Sequence, residues 1–315
     1  MTQVAVSAPV EAVVLFLAGA VLAVWATERL LDGLVGLAAT TSLSTFAVGA
    51  VLSGFEAENV AVGLAAGAKS APEVALGTVF GGAVFLVCVP LGLGAVLYPL
   101  RVRLPKPVLI TLAVTPLLAG LAIAGDRTPR WAGAVLLASF VGAMTHLVIA
   151  SRRHALISPT TIAGSMKRPS LAVSLVLTIV GILVVGVGGE MVARGATRMV
   201  AVFAISAGLV GMVITPAAIE LEEVIRQAVP NRKGHPEVSG GNLVGTLLYF
   251  VLFNLGLIAL LTPVAVNPRI RTLDWPFLIA VTWLAVLFLA RGQVGRREGA
   301  FLIAAYAGYV ILHAI

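Results

Sequence analysis

The sequence predicts an all-α polytopic membrane protein: ten transmembrane helices arranged as two inverted five-helix repeats. Three observations predict it. Of 315 residues, 59% are apolar and 11% charged, and the mean hydropathy is +1.06; soluble domains carry about 25% charged residues. Apolar stretches long enough to cross a hydrocarbon layer of about 30 Å recur along the whole length. One motif also occurs twice, 164 residues apart, so that Glu56-Ala-Glu58-Asn59-Val60 matches Glu220-Leu-Glu222-Glu223-Val224. Under the same gapless offset Lys69, Pro72-Glu73-Val74, Gly77 and Gly81 match Lys233, Pro236-Glu237-Val238, Gly241 and Gly245.

Taken in order, the apolar segments predict spans near 8–27, 34–68, 73–99, 107–125, 131–150, 170–193, 198–228, 238–263, 275–291 and 298–315. The first lacks a basic leading region, carries Glu11 and Glu28, and has no small-residue cleavage site nearby, so it reads as a span rather than a signal peptide. The most polar stretch outside the Glu motifs is Ser151–Ser170, close to the midpoint. It predicts a cytoplasmic linker, 151–170, between a first repeat, 1–150, and a second, 171–315. Five spans per repeat make the second repeat enter from the opposite side, an arrangement found in many secondary transporters.

The formal charge of +7 lies between the spans, so it reads as topology and not as a nucleic-acid footprint. Assigning alternate loops to alternate sides places 14 Lys and Arg on one side and 7 on the other. The richer side is expected to be cytoplasmic, which puts both termini outside a cell membrane. The loops are too short to fold as a soluble domain. Cys88 is the only cysteine, which excludes an intrachain disulfide and reads as a small buried apolar residue. His146, His154, His235 and His313 are scattered near span ends and receive no role.

The motif-bearing spans are unusual. Residues 34–68 are too many for one ordinary crossing at about 1.5 Å per residue. Gly54 and Pro216 precede the two Glu clusters and weaken the helix there. A broken helix frees backbone groups to line a cavity, whereas the plainer reading is a kink in a long tilted helix. The Pro-Glu pairs at 72–73 and 236–237 predict helix starts with Glu73 and Glu237 as caps at the water interface. Gly77, Gly81, Gly82, Gly241 and Gly245 read as close-packing positions.

At helical spacing Glu56 and Asn59 share a face, as do Glu220 and Glu223. Converging at a pseudo-two-fold axis, these four form the candidate cation-binding set. Glu58 and Glu222 lie about 200° round the helix, as second-layer or proton-path residues. Facing carboxylates cannot all stay ionised in an apolar interior, so the site must bind a cation or hold protons. A site that alternates between the two is a cation/proton exchanger. Oxygen-only ligands favour a hard ion such as Ca²⁺, Mg²⁺, Mn²⁺ or Na⁺. The competing reading is that these glutamates cap half-helices or pair with Arg226 and Lys69 at an interface.

These motifs resemble the calcium/cation antiporter superfamily, which comprises the membrane region of sodium/calcium exchangers and the calcium/proton exchangers. Members have ten spans in inverted five-span repeats. Each repeat carries a Gly-Thr-Ser-Leu-Pro-Glu-like helix, then Lys-x-x-Pro-Asp-x-Ala-x-Gly-Asn and Gly-Ser-Asn. Asn59–Gly81 is similar to the first repeat without gaps, and Glu223–Gly245, with Gly241-Asn242, to the second. The resemblance implies that the ion-binding Glu falls on Glu223 but on Asn59 in the first repeat. The family's ligand Ser is replaced by Glu56 and Glu220, and the Thr before it by Phe55 and Ile219. On the following helices its Ser becomes Gly82 and Thr246, and its Asn or Asp becomes Leu86 and Phe250. A carboxylate-rich centre stripped of those neutral positions suits one divalent ion against protons.

The sequence therefore predicts a secondary cation antiporter exchanging a divalent ion, Ca²⁺ first, for H⁺ or Na⁺. Its partners would be inorganic cations and membrane lipid, with no cofactor and no nucleic acid. The alternatives are a ten-span drug/metabolite carrier, a membrane-embedded enzyme acting on lipid-linked substrates, and a passive channel.

Overall fold

A computed structural model describes residues 2–40, 44–53, 57–68, 72–153, 170–201 and 220–314. Gly54, Glu56, Lys69, Pro216 and most of the expected linker lie outside the described residues, and the Glu58 side chain is likewise not described. Every described element is helical. They are α1 (Thr2–Thr40), α2 (Thr45–Val48), α3 (Ala57–Ala68), α4 (Pro72–Cys88), α5 (Pro90–Leu97), α6 (Lys106–Leu118), α7 (Gly120–Ile123), α8 (Arg130–Arg153) and α9 (Leu171–Ala201). Then follow α10 (Leu221–Arg232), α11 (Pro236–Leu248), α12 (Leu255–Leu261), α13 (Trp275–Ala290) and α14 (Arg296–Ala314). Wider π turns occupy Gly49–Ser53, Tyr249–Asn254 and Ile270–Asp274.

Six described stretches are long and apolar enough to cross a membrane: Pro72–Leu97, Lys106–Ile123, Arg130–Ala150, Leu171–Gly188, Pro236–Leu261 and Ile270–Ala290. The two that begin with the duplicated Pro-Glu-Val are both 26 residues long and both mostly buried. They are apolar all round, which suits helices surrounded by other helices. The flanking spans instead turn Val141, Ile179 and Leu183 outward, as helices against lipid do.

The expected boundaries near the first motif need correction. Residues 34–40 continue α1, and a separate helix starts only at Thr45. Ser44 caps that start, its Oγ accepting from the Ala47 N–H at 3.1 Å. The apparent span of 35 residues is thus the end of one helix plus the next crossing, which includes the π turn at Gly49–Ser53.

Helices α1 and α9 pack along each other. Gly33 lies against Thr178 and Gly181 against Leu30, where an added Cβ would meet atoms at 2.6 Å and 2.8 Å. Small residues at a crossing let two backbones approach closely. Ala26, Leu30, Leu31, Leu34, Leu37, Ala38 and Val185 form an apolar cluster of their own with Val48 and Val238. The main core is built instead around α4, α5, α11 and α12.

The described loops gather at two ends. At one, Leu100 pairs with Val294 as a short antiparallel bridge, Asn231 donates to the Tyr98 carbonyl at 3.3 Å, and Glu28 pairs with Arg232 and Lys233. At the other, Arg127 pairs with Ala265, and the Val266 N–H donates to the Asp126 carbonyl at 2.8 Å. The last turn of α3 meets this second end, where Gly67 lies against Thr262. The last turn of α10 meets the first, so the two motif helices finish at opposite ends.

A buried polar cluster joins α13 to α14. Asp274 accepts from the Tyr309 hydroxyl at 2.6 Å, and His313 Nε2 lies 3.0 Å from the same carboxylate oxygen. His313 is therefore not the idle residue its sequence position suggested. Cys88 is fully buried, as expected.

Candidate functional site

Helix α10 begins inside the second Glu cluster, with Glu220 as its N-cap residue and Glu222 and Glu223 in its first turn. The positive end of the helix dipole favours carboxylates there. Glu220, Glu222 and Glu223 are all buried, as is Asn59 on α3. The two motifs touch directly: Asn59 Nδ2 donates to Glu220 Oε1, joining residues 161 apart in the chain. Of the four candidate ligands, Asn59, Glu220 and Glu223 thus come to one buried centre, and Glu56 lies outside the described residues.

Glu223 is held from two sides. Its Oε1 accepts from Arg226 Nη1 at 2.7 Å, and its Oε2 accepts from Asn242 Nδ2 at 2.6 Å. Arg226 Nη2 donates in turn to Glu222 Oε1. The i,i+3 and i,i+4 spacing places the guanidinium between both carboxylates on one helix. Arg226 is only 6% exposed, so this is an internal ion pair and not a solvated one. Sequence reading had paired Arg226 with the glutamates only in the interfacial alternative; the pairing exists, but it is buried. Glu222 is also buried and shares Arg226 with Glu223.

Asn242 was legible only as part of Gly241-Asn242, and its contact with Glu223 makes it part of the centre. Gly241 and Gly245 explain how α11 comes so near. A Cβ on them would lie 2.3 Å from the Phe46 carbonyl oxygen and 2.1 Å from that of Ala50, so only glycine admits this backbone contact. Across the site, the Phe250 ring fills the space over Gly82, 2.9 Å from where a Cβ would stand. With Leu86 also fully buried, that layer is lined by apolar side chains. Thr246, one turn beyond Asn242 on the same face, has a buried Oγ1 without a hydrogen-bond partner among the described residues. So has Asn59 Oδ1. Both are neutral oxygens of the kind hard cations take as ligands.

Glu237 departs from expectation. It opens α11, but it is 1% exposed and its Oε1 lies 3.2 Å from His235 Nδ1, so it is a buried group and not an interfacial cap. Its counterpart Glu73 is exposed in the first turn of α4, as expected. Among the described residues no three Asp, Glu, His or Cys side chains gather as a metal-holding group. Arg226 and Asn242 instead hold Glu223, and Asn59 holds Glu220.

The sodium/calcium exchanger protein family matches residues 11–149 and 173–314, two blocks on either side of the polar midpoint. The chain belongs to the sodium/calcium exchanger family. It is similar to a putative antiporter, CaxA, of Alkalimonas amylolytica, at 23% identity over 96% of this chain and 98% of that one. It is also 26% identical to the inner membrane protein YrbG of Escherichia coli strain K12, over 92% and 93% of the two chains. Its fold matches the solved sodium-calcium exchanger NCX_Mj with a TM-score of 0.78 and 22% identity, covering 96% of this chain and 99% of that one. As a member of the sodium/calcium exchanger family this protein is a multi-pass membrane transporter and a cation antiporter, not an enzyme. That sets aside the drug/metabolite carrier, the lipid-linked enzyme and the passive channel.

Proposed function

We propose that this exchanger moves a divalent cation, Ca²⁺ first, against H⁺ through the buried centre at Glu220 and Glu223. The observation that carries the reading is the Asn59–Glu220 contact, which closes the two duplicated motifs into one buried carboxylate centre. In this reading Glu56, Glu220 and Glu223 bind the ion and its exchanging protons, and Asn59 supplies a neutral oxygen through Oδ1. Glu58 and Glu222 act around them, on the path of the proton. Oxygen-only chemistry suits a hard ion. The apolar side chains at Leu86 and Phe250, with Gly82 beneath the Phe250 ring, offer no side-chain oxygen to hold several Na⁺, which supports H⁺ as the coupling ion.

The chain is read as ten spans in two inverted halves, 1–150 and 171–315, joined through a cytoplasmic 151–170. Support comes from the opposite ends at which α3 and α10 finish. The end carrying Arg103, Arg232, Lys233 and Arg291 would face the cytoplasm, with both termini outside a cell membrane. Sliding of α1 and α9 over the rest would expose the site to each side in turn. The close packing of α1 on α9 supports their moving as a pair.

The test is ⁴⁵Ca²⁺ uptake into proteoliposomes under an outward H⁺ gradient, an outward Na⁺ gradient, or neither. Uptake driven by the H⁺ gradient alone is expected. Uptake that only Na⁺ drives would replace the coupling ion, and no uptake under any gradient would remove Ca²⁺ from the account.

A further inference from the structure

Arg226 is a fixed cation among the carboxylates of the centre, and the proposed exchange gives it no part. A buried guanidinium is costly unless paired, and this one is paired twice, with Glu223 at 2.7 Å and with Glu222. Glu223 is the carboxylate also fixed by Asn242, so the arginine and the amide between them occupy both of its oxygens. The guanidinium is always charged, whatever the pH. It therefore competes for Glu223 with any cation arriving there, and it does so from a tether one helical turn long. Its side chain also lines a small cavity with Thr27, Leu30, Leu31 and Leu34 of α1. The same residue thus reaches from the carboxylates to α1.

We propose that Arg226 is a tethered competitor of the transported divalent cation. It holds Glu223 while the site is empty, and gives it up, keeping its bond to Glu222, when the ion binds. The proposal rests on the reading of Glu223 as a cation ligand. Two consequences separate it from a structural role. The guanidinium weakens ion binding, because a fixed positive charge stands beside the bound cation. It also speeds release, because it re-forms the pair as the ion leaves. Arg226 is thus a positioning and specificity residue, setting affinity against turnover.

The test is the KM and maximal rate of H⁺-driven ⁴⁵Ca²⁺ uptake in proteoliposomes, with equilibrium ⁴⁵Ca²⁺ binding to the purified protein beside it. Arg226→Gln should lower KM and the binding constant by about tenfold or more while lowering the maximal rate. Arg226→Lys, which keeps the charge but not the fork that spans both carboxylates, should have a KM between those of R226Q and wild type. Removing one partner of a buried pair can unfold a protein, so the charge-balanced E222Q/R226Q is measured against E222Q and should show the same fall in KM. A KM that is unchanged or higher in R226Q, or unchanged between E222Q and E222Q/R226Q, would overturn the proposal. A wild type that neither binds nor moves Ca²⁺ would instead overturn the exchanger reading on which it rests.

Discussion

Glu223 is where the account is most exposed at the scale of single residues. Its two oxygens are fixed by Arg226 and Asn242, and it lies one helical turn from Glu220, which receives the Asn59 amide. Groups that orient a ligand are worth about 10- to 100-fold in metal affinity. Asn242→Ala should therefore weaken Ca²⁺ binding by about that factor, read as equilibrium ⁴⁵Ca²⁺ binding, with little change in the helical content of the protein. Glu220, Glu223 and Asn59 were legible in the sequence because the repeat marked them and helical spacing put Glu220 and Glu223 on one face. Burial of Arg226, Glu222 and Glu237 was not legible. A charge at i+3 or i+4 from a glutamate reads the same on a wet face as inside a bundle, and only packing by α1 and α11 decides between them. Protons compete for the same carboxylates, so at fixed gradients Ca²⁺ affinity should fall as pH is lowered on the binding side. An affinity independent of pH would separate the ion site from any proton site.

At the scale of elements, close glycine contacts and a buried polar cluster fix how the helices meet. Gly245 admits the Ala50 carbonyl where a Cβ would sit at 2.1 Å, so Gly245→Ala must push α11 away from the π turn at Gly49–Ser53. Overpacking of this kind costs about 1–3 kcal/mol, to be read as a lower thermal midpoint in detergent. Tyr309→Phe removes a 2.6 Å hydrogen bond to the buried Asp274 carboxylate. It should cost about 1–3 kcal/mol in the same assay while leaving Ca²⁺ affinity near wild type, since the cluster belongs to α13 and α14. From Pro236 onward the helices start close to where the sequence placed them because polar loops bound them, whereas α9 runs on to Ala201 through the break expected after residue 193. The sequence also misplaced the start of the second crossing, because apolar residues continue through both helices from Leu34 onward. The available signal was the hydroxyl run Thr40–Thr45, in which Ser44 forms the cap.

At the scale of the whole molecule, the account divides the protein into a pair, α1 with α9, and a body that carries the site. Glu28 on α1 pairs with Arg232 at the end of α10, so that contact lies across the division. Cysteines placed at 28 and 232 and joined by a short bifunctional thiol reagent should stop uptake, while either single cysteine treated alike should not. Cys88 is fully buried and leaves the background clean. Transport that continues through the cross-link would place the moving parts elsewhere.

The central claim is that the duplicated motifs meet in one carboxylate centre that carries the cation. The most direct measurement is H⁺-driven ⁴⁵Ca²⁺ uptake by Glu223→Gln beside wild type, in proteoliposomes holding equal amounts of folded protein. The account predicts rapid uptake by wild type and a loss of about a hundredfold or more in the variant. Uptake by Glu223→Gln at the wild-type rate would contradict it.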